Sequence, residues 1–362
     1  MKHLRLTTTL ALVLAALAAV PAAGAAKEPM VAGYVETIHG GVGIDALDLG
    51  PLTHVIDAFM LPTSEGRLHG ANGMPRLDLV ERCHAEGRHV LMSIGGGTVP
   101  GKVFTTIAER PTSLQRFATG AVATAMEAGY DGLDIDWEFP DPLERRLYVR
   151  LITAVREAMV AAEWKTHTGE PALLFYGVTT GYWLRGYDFA ALSKLTDAAV
   201  YFGYDFRNPS LGPWMHYDMM WPKEAAEPIE ASVSGVIAEI ARRGYDPGKI
   251  LVGLPFYTSA NRPWSTARKT RGLAEAKLHP VFLEKNIDGE WITDAEAMEA
   301  KVRAALGPLA AAGRPVGGIA IWQIGHQGRH HELTNAISRV LDEETVATRH
   351  DRYRSLALEE TR

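Results

Sequence analysis

The stretch Asp131–Pro140, which reads DGLDIDWEFP, combines three regularly spaced acidic residues with bulky apolar ones. Side chains of a β-strand alternate between its two faces, so Asp134, Asp136 and Glu138 are expected on one face. The intervening Leu, Ile and Trp then occupy the other face. Strands of parallel sheets are normally apolar on both faces, and a buried carboxylate without a partner is costly. The row of acids is therefore typical of a functional site, and an exposed edge strand is the disfavoured alternative.

Similar short apolar runs lie on both sides of this stretch and alternate with amphipathic segments. We predict eight strands, near residues 30–36, 54–60, 89–94, 132–138, 173–178, 199–204, 250–256 and 318–322. Helical periodicity is clearest over residues 147–159 and 233–240, and Asp141 and Asp294 are expected N-caps. Eight such units predict a single-domain α/β fold, the (β/α)8 TIM barrel. A doubly wound sheet is disfavoured because no G-x-G-x-x-G follows the first strand.

The composition excludes several classes of protein. The 362 residues are 47% hydrophobic, which is too apolar for a disordered chain. Cys83 is the only cysteine, which excludes a disulfide framework and a thiolate metal cluster. The 37 basic residues are outnumbered by 43 acidic ones and form no basic run, so nucleic acid is not expected as a partner. We expect a monomer that needs no cofactor.

The first residues have the pattern of a secretory signal. Lys2, His3 and Arg5 precede an apolar run over residues 10–20, and small residues follow it. The run is shorter than the roughly 18 to 20 residues that a membrane span needs. We expect a signal peptide over residues 1–26, a barrel domain over residues 27–345 and a charged tail over residues 346–362. The mature protein is expected to be secreted or periplasmic, with no membrane attachment.

The order of the acids along the strand indicates their chemistry. Reactions in such barrels occur at the carboxyl ends of the strands, so Glu138 is the acid nearest the mouth. Neighbouring carboxyls cannot all ionise, so the row should hold a proton and the pKa of Glu138 should be raised. These properties predict a general acid that works near neutral pH. Asp131, at the opposite end of the strand, is expected to be structural.

A metal site is the competing interpretation of the acidic and histidine-rich segments. A row of carboxylates without interleaved Asn or His is a poor cage for a hard cation. His326, His330 and His331 are spaced like metal ligands, but an exposed polar loop after the last strand is the favoured interpretation. We therefore predict no metal.

Several motifs together resemble family 18 glycoside hydrolases, the chitinase family, in its secreted bacterial form. Residues 131–138 match the D-x-x-D-x-D-x-E signature of that family, and residues 93–96 (SIGG) match its S-x-G-G motif. Residues 202–205 (FGYD) are similar to its M-x-Y-D motif, with Phe202 in place of Met. Matches to the other strands are found at Gly33–Tyr34, Ala58–Phe59, residues 253–257 (GLPFY) and Trp322.

The resemblance implies a retaining glycosidase in which the N-acetyl group of the substrate attacks the anomeric carbon. Glu138 would protonate the glycosidic oxygen, Asp136 would orient the acetamido group, and Asp134 would share the proton of the row. Tyr204 would hydrogen-bond the acetamido group, and Ser93 and Tyr34 would support the acids. Further substrate contacts are implied for Asp205, Trp322, Tyr34, Phe59, Tyr257 and Trp137, and supporting positions for Ser93, Gly95, Gly96 and Phe202.

The substrate implied by the resemblance is a polysaccharide or oligosaccharide of β-1,4-linked N-acetylglucosamine. An endo-β-N-acetylglucosaminidase acting on N-glycans and a chitin-binding lectin without catalysis stay open as alternatives. The 60 residues between Tyr257 and Gly318 are too few for a large insertion domain, which predicts an open cleft. The aromatic residues of segment 206–229, and Trp183 and Trp264, are expected either to stack on sugars or to pack against the barrel.

Overall fold

The computed structural model describes residues 28–36, 43–208, 212–215, 233–280, 282–307 and 315–343. The expected signal peptide, the expected tail and most of the aromatic segment 206–229 lie outside these residues. Among the helices of the described ranges, none is long and apolar enough to cross a membrane.

Eight parallel strands close into a barrel, which confirms the predicted fold class. They are β1 (Met30–Val35), β2 (His54–Pro62), β3 (His89–Gly95), β4 (Gly132–Asp136), β5 (Leu173–Val178), β6 (Ala198–Tyr201), β7 (Ile250–Pro255) and β8 (Gly318–Trp322). Each strand pairs with the next, and β1 pairs with both β2 and β8, which closes the sheet. The strands β4 and β6 end earlier than predicted, with their last register pairs at Asp136 and Tyr201.

Helices follow the strands around the outside of the barrel. They are α1 (Leu77–Ala85), α2 (Gly101–Glu109), α3 (Pro111–Glu127), α4 (Arg145–Ala161), α5 (Phe189–Leu195), α6 (Val233–Arg242), α7 (Trp264–Ala267), α8 (Ala295–Leu306) and α9 over residues 332–343. The predicted periodic segments lie in α4 and α6. Asp294 caps α8 by accepting a hydrogen bond from Ala297 N–H at 3.0 Å, and Asp141 caps a 3-10 turn that leads into α4.

The remaining elements are short. Strand Leu68–Gly70 pairs with the end of β2, and two hairpins are formed by Phe206–Asn208 with Gly212–Met215 and by Lys285–Ile287 with Glu290–Ile292. The 3-10 helices span Ile44–Ala46, Pro142–Glu144, Gly181–Gly186, Pro247–Lys249 and Ile324–Gln327. In the described residues between β7 and β8, only α7, one hairpin and α8 occur, so the expectation of no large insertion domain is confirmed.

Alternation along the strands separates two apolar layers. Outward-facing side chains, such as Leu133 and Ile135 of β4, pack against the surrounding helices. Inward-facing side chains form a second apolar cluster inside the barrel, which includes Ala32, Ile56, Leu91, Phe175, Val200 and Leu251. Asp134 and Asp136 lie on this inner face, so the apolar interior forms the floor below the acid row.

A buried ion pair ties the segment before the second hairpin to α8. Lys301 Nζ lies 2.5 Å from Glu284 Oε1, and the two side chains are 0% and 1% exposed. The hydroxyl of Thr293 accepts from Lys301 and donates to Glu284, at 2.9 Å in each case. The network satisfies both charges where neither can reach water.

Replacing Lys301 by Met should leave the Glu284 carboxylate buried without its counter-charge. We expect the free energy of unfolding to fall by about 3 to 5 kcal/mol, measured by urea denaturation. The double variant Lys301→Met/Glu284→Gln should recover much of that loss. Lys277→Met, at an exposed position, is the control. A loss of unfolding free energy below about 0.5 kcal/mol in the single variant would show that Lys301 is not needed to stabilise the buried Glu284 carboxylate.

Candidate active site

The three acids of the signature lie in a row at the carboxyl end of β4. Asp134 and Asp136 are 0% and 1% exposed, and Glu138 is half-buried two residues beyond the strand. Asp134 accepts hydrogen bonds from the hydroxyls of Ser93 at 2.7 Å and Tyr34 at 3.2 Å. Ser93 stands opposite Asp134 in the β3–β4 register, so pairing of the strands itself brings these groups together.

Two residues that the resemblance assigned to substrate contact are placed elsewhere. Tyr34 is 1% exposed and its hydroxyl donates to Asp134, so it supports the acid row and does not reach the mouth. Trp137 is 0% exposed and stacks on Phe104 with their ring centroids 5.3 Å apart, in the layer between the barrel and the helices. The prediction that Trp137 binds substrate is wrong, because alternation along the strand turns it away from the cleft.

Glycines provide the space that the two outer acids occupy. A Cβ atom on Gly177 of β5 would lie 2.7 Å from Asp136 Oδ1, and one on Gly97 would lie 3.3 Å from Glu138 Oε2. The backbone N–H of Gly97 donates to the Glu138 carboxyl, and the carboxyls of Asp136 and Glu138 are hydrogen-bonded to each other. Neither glycine was predicted as a site residue. The run of three glycines at residues 95–97 was the available signal for Gly97.

Gly95 and Gly96 let the end of β3 approach β4 closely. Their φ angles are +127° and +89°, which disfavour other residues. A Cβ on Gly95 would lie 2.1 Å from the carbonyl oxygen of Asp136, and one on Gly96 would lie 2.7 Å from the Phe59 ring. Gly96 N–H donates to that same Asp136 carbonyl at 2.9 Å. The two glycines therefore act through the backbone, as supports of the acid row.

Burial raises the pKa of every acid in the row. Desolvation raises the pKa of Asp134 to about 6, although the hydrogen bonds from Ser93 and Tyr34 oppose the shift. Desolvation and the neighbouring charges of Glu138 and Asp134 raise the pKa of Asp136 well above its usual range. Desolvation, with the negative charge of Asp205, raises the pKa of Glu138 to about 7 against the hydrogen bond from Asp136. The row thus retains protons near neutral pH.

An aromatic wall built on β8 and β2 stands beside the acids. The half-buried ring of Trp322 stacks on Phe59, with ring centroids 5.7 Å apart and an interplanar angle of 22°. Its centroid lies 5.3 Å from that of Tyr34. The peptide bonds Ala58–Phe59, Glu138–Phe139 and Trp322–Gln323 are cis. Because Phe59 is 7% exposed, Trp322 is the member of this stack that presents more of its surface to the cleft.

A second aromatic group follows β6 and β7. Tyr204 stacks on Phe202 at 5.7 Å and meets Tyr257 edge-on at 6.0 Å. The ring of Phe202 also meets the ring of Phe139, with their centroids 6.0 Å apart. Phe139 is a half-buried residue next to Glu138 and was not predicted as a site residue. Asp205 is exposed and adopts φ of +62°. The structure therefore brings Tyr204 and Asp205 to the same end of the barrel as Glu138.

Other residues singled out in the sequence do not form a second site. His326 is half-buried in a 3-10 helix and meets Tyr257 at 5.9 Å, so the expectation of an exposed loop is wrong for this residue. His331 is exposed, and its Nε2 atom lies 3.3 Å from Ala46 O. Within the described part of the chain, His326, His330 and His331 do not converge as metal ligands. Trp264 is buried, whereas Trp183 is 41% exposed after β5.

Comparison with known proteins identifies the family. Residues 30–326 match the model of glycosyl hydrolases family 18. The chain is 29% identical over 184 residues to a class V chitinase of Arabidopsis thaliana, an alignment that covers 48% of this chain and 45% of the relative. The chain thus spans less than half the length of this curated relative.

Solved structures with the same fold extend over nearly all of the barrel. The Group IV chitinase of Ostrinia furnacalis, solved with allosamidin, is 19% identical with a TM-score of 0.71, and the match covers 87% of this chain and 99% of that one. A chitinase-like agglutinin of Robinia pseudoacacia is 20% identical with a TM-score of 0.69, covering 86% and 99%. These structures share the fold, and the match over residues 30–326 shows that the chain belongs to glycosyl hydrolase family 18.

Proposed function

We propose that this protein hydrolyses β-1,4 glycosidic bonds between N-acetylglucosamine units, in chitin or chito-oligosaccharides, with retention of configuration. The observation that carries the proposal is the position of Glu138. Its carboxyl stands at the mouth of the barrel, hydrogen-bonded to a buried acid row, with its pKa raised to about 7. A carboxylic acid of that pKa can hold a proton at neutral pH and give it to a leaving oxygen.

The spacing of the acids supports participation of the substrate itself. A retaining glycosidase with a carboxylate nucleophile needs two carboxyls about 5 to 5.5 Å apart, and an inverting one needs about 6.5 to 9.5 Å. Asp136 and Glu138 are hydrogen-bonded to each other, which is closer than either arrangement. Asp136 is therefore poorly placed to be the nucleophile. It is well placed to orient an acetamido group whose carbonyl oxygen attacks the anomeric carbon and forms an oxazolinium ion.

The surrounding residues supply binding and charge stabilisation in this proposal. Trp322 offers an apolar face on which a pyranose ring can stack. The Tyr204 hydroxyl would donate to the acetamido oxygen as that oxygen attacks, and Asp205 would hold a sugar hydroxyl. Asp134, held by Ser93 and Tyr34, would take up the proton of Asp136 as charge redistributes along the row. Export through the expected signal peptide would bring the enzyme to polymers outside the cytoplasm.

Replacing Glu138 by Gln should abolish most turnover because it removes the transferable proton and changes the volume little. We expect kcat to fall by about 10²- to 10⁴-fold with chitopentaose as substrate, measured by a mass-spectrometric time course of the products. Glu157→Gln, on the exposed face of α4, is the matched control and should cleave at the wild-type rate. The anomer released first should be β, as retention requires.

Each outcome of that experiment has a definite meaning. Near-native cleavage by Glu138→Gln would remove Glu138 from the mechanism, and an α product would contradict retention. If wild-type protein leaves chitopentaose intact, a high-mannose glycopeptide becomes the next substrate. Failure to cleave the glycopeptide as well would favour a carbohydrate-binding lectin.

The pH profile should report the raised pKa of the acid row. Glu138 can donate only when protonated, so kcat/KM should fall as pH rises through an apparent pKa of about 7. Removing the charge of Asp205 by Asp205→Asn should lower the pKa of Glu138 and move this basic limb to lower pH. Asp288→Asn, in an exposed turn with φ of +52°, is the control and should leave the limb in place. An unmoved limb in Asp205→Asn would show that Asp205 does not act on Glu138 electrostatically.

A further inference from the structure

Three histidines surround Asp131 at the amino ends of the strands, opposite the candidate active site. Asp131 directly precedes β4, His89 begins β3, His84 lies in the last turn of α1, and His167 lies in the turn after α4. Asp131 and Glu138 are seven positions apart, which is about 23 Å along an extended chain. The cluster is therefore independent of the proposed hydrolytic site.

The donor atoms of this cluster have separations close to those of a metal site. His84 Nε2 lies 3.0 Å from Asp131 Oδ2, and His167 Nδ1 lies 2.9 Å from Asp131 Oδ1. One ligand atom from each of the three residues lies within 4.8 Å of the others. Ligands about 2.0 to 2.1 Å from a tetrahedral Zn²⁺ are about 3.3 Å apart. The rings of His84 and His167 stack with their centroids 4.1 Å apart, so both would have to turn for their nitrogens to face one ion.

The backbone holds the Asp131 carboxylate in place. Val90 N–H donates to Oδ2 at 2.8 Å and His167 N–H donates to Oδ1 at 2.7 Å, while the side chain of Asp131 is 0% exposed. Such hydrogen bonds favour the ionised form and orient the ligand oxygens, as the groups around established metal ligands do. The rings of His84 and His167 are 25% and 20% exposed, which leaves an ion a route from solvent.

The third histidine indicates that hydrogen bonding alone does not complete the cluster. With two backbone and two imidazole partners, the roughly four acceptor positions of the Asp131 carboxylate are already used. His89 Nδ1 is buried 3.7 Å from Oδ2, which is longer than a normal hydrogen bond, and it has no closer partner among the described residues. A cation between the rings would be a partner for this nitrogen, and each neutral imidazole would present its lone pair to the ion with its proton on the opposite ring nitrogen.

We propose that His84, Asp131 and His167, with His89 as a fourth ligand, bind a divalent transition metal ion of the Zn²⁺ type. Imidazole nitrogens with one carboxylate suit Zn²⁺, Co²⁺ or Ni²⁺, whereas Mg²⁺ and Ca²⁺ prefer oxygen ligands alone. The site joins α1, β3, β4 and the turn after α4 at the base of the barrel, which is the position of a structural rather than a catalytic ion.

Zinc binding tests this site directly. Tag-free protein stripped with a chelator is titrated with ZnCl₂ by calorimetry, and the stripped protein is titrated with Co²⁺ in the visible spectrum. We expect about one Zn²⁺ per chain, Co²⁺ bands of a four-coordinate site and a higher melting temperature with Zn²⁺. His84→Ala and His167→Ala should each weaken Zn²⁺ binding by at least about tenfold. His69→Ala, which removes an exposed histidine elsewhere, should bind as wild type does.

The proposal has clear contrary outcomes. It is overturned if the wild-type protein binds no Zn²⁺, or if His84→Ala and His167→Ala bind as tightly as wild type. The melting curves of the metal-free variants show whether each variant is folded, and Gln replacements at the same positions serve where Ala does not fold. Because the readouts are binding, spectrum and melting temperature, the result does not depend on whether chitopentaose is cleaved.

Discussion

The residues at the mouth of this barrel accommodate a row of three carboxyls at the carboxyl end of β4. Two of them are 0% and 1% exposed, above an apolar interior, and no basic side chain of the described residues forms an ion pair with them. Retained protons reduce the charge of carboxyls buried in this position, and hydrogen bonds stabilise the charge that remains. The hydroxyls of Ser93 and Tyr34 both donate to Oδ2 of Asp134, and the N–H of Gly97 donates to Glu138. Oδ1 of Asp134 and Oδ1 of Asp136 have no hydrogen-bond partner among the described residues, which favours protonation of the row.

The same row of carboxyls explains the small residues near it. Asp136 and Glu138 need space inside a closely packed barrel. A Cβ at Gly177 would collide with Oδ1 of Asp136, and one at Gly97 would crowd the Glu138 carboxyl. Trp322 and Phe59 stack beside the acids on one side of the cleft. Phe202 stacks on Tyr204 on the other side, which gives Tyr204 an apolar contact there.

The two ends of β4 carry different chemistry because a parallel barrel separates them by the length of a strand. At the carboxyl end, acids share protons in a partly open cleft. At the amino end, Asp131 accepts backbone hydrogen bonds and is surrounded by imidazoles. The signature D-x-x-D-x-D-x-E therefore spans two sites. Its first aspartate lies at the base of the barrel, and the remaining three acids form the row at the mouth.

The sequence by itself determined the barrel and the acid row. Eight apolar runs marked the strands, and a period of two placed Asp134, Asp136 and Glu138 on one face, because alternation is a local property of extended chain. The same alternation turned Trp137 outward, against its assignment from the resemblance. Only the tertiary structure decided that Tyr34 bonds Asp134, that Gly97 and Gly177 make room for the acids, and that His84, His89 and His167 surround Asp131. Those contacts join distant parts of the chain, and they exist only because the closed sheet brings the ends of different strands together.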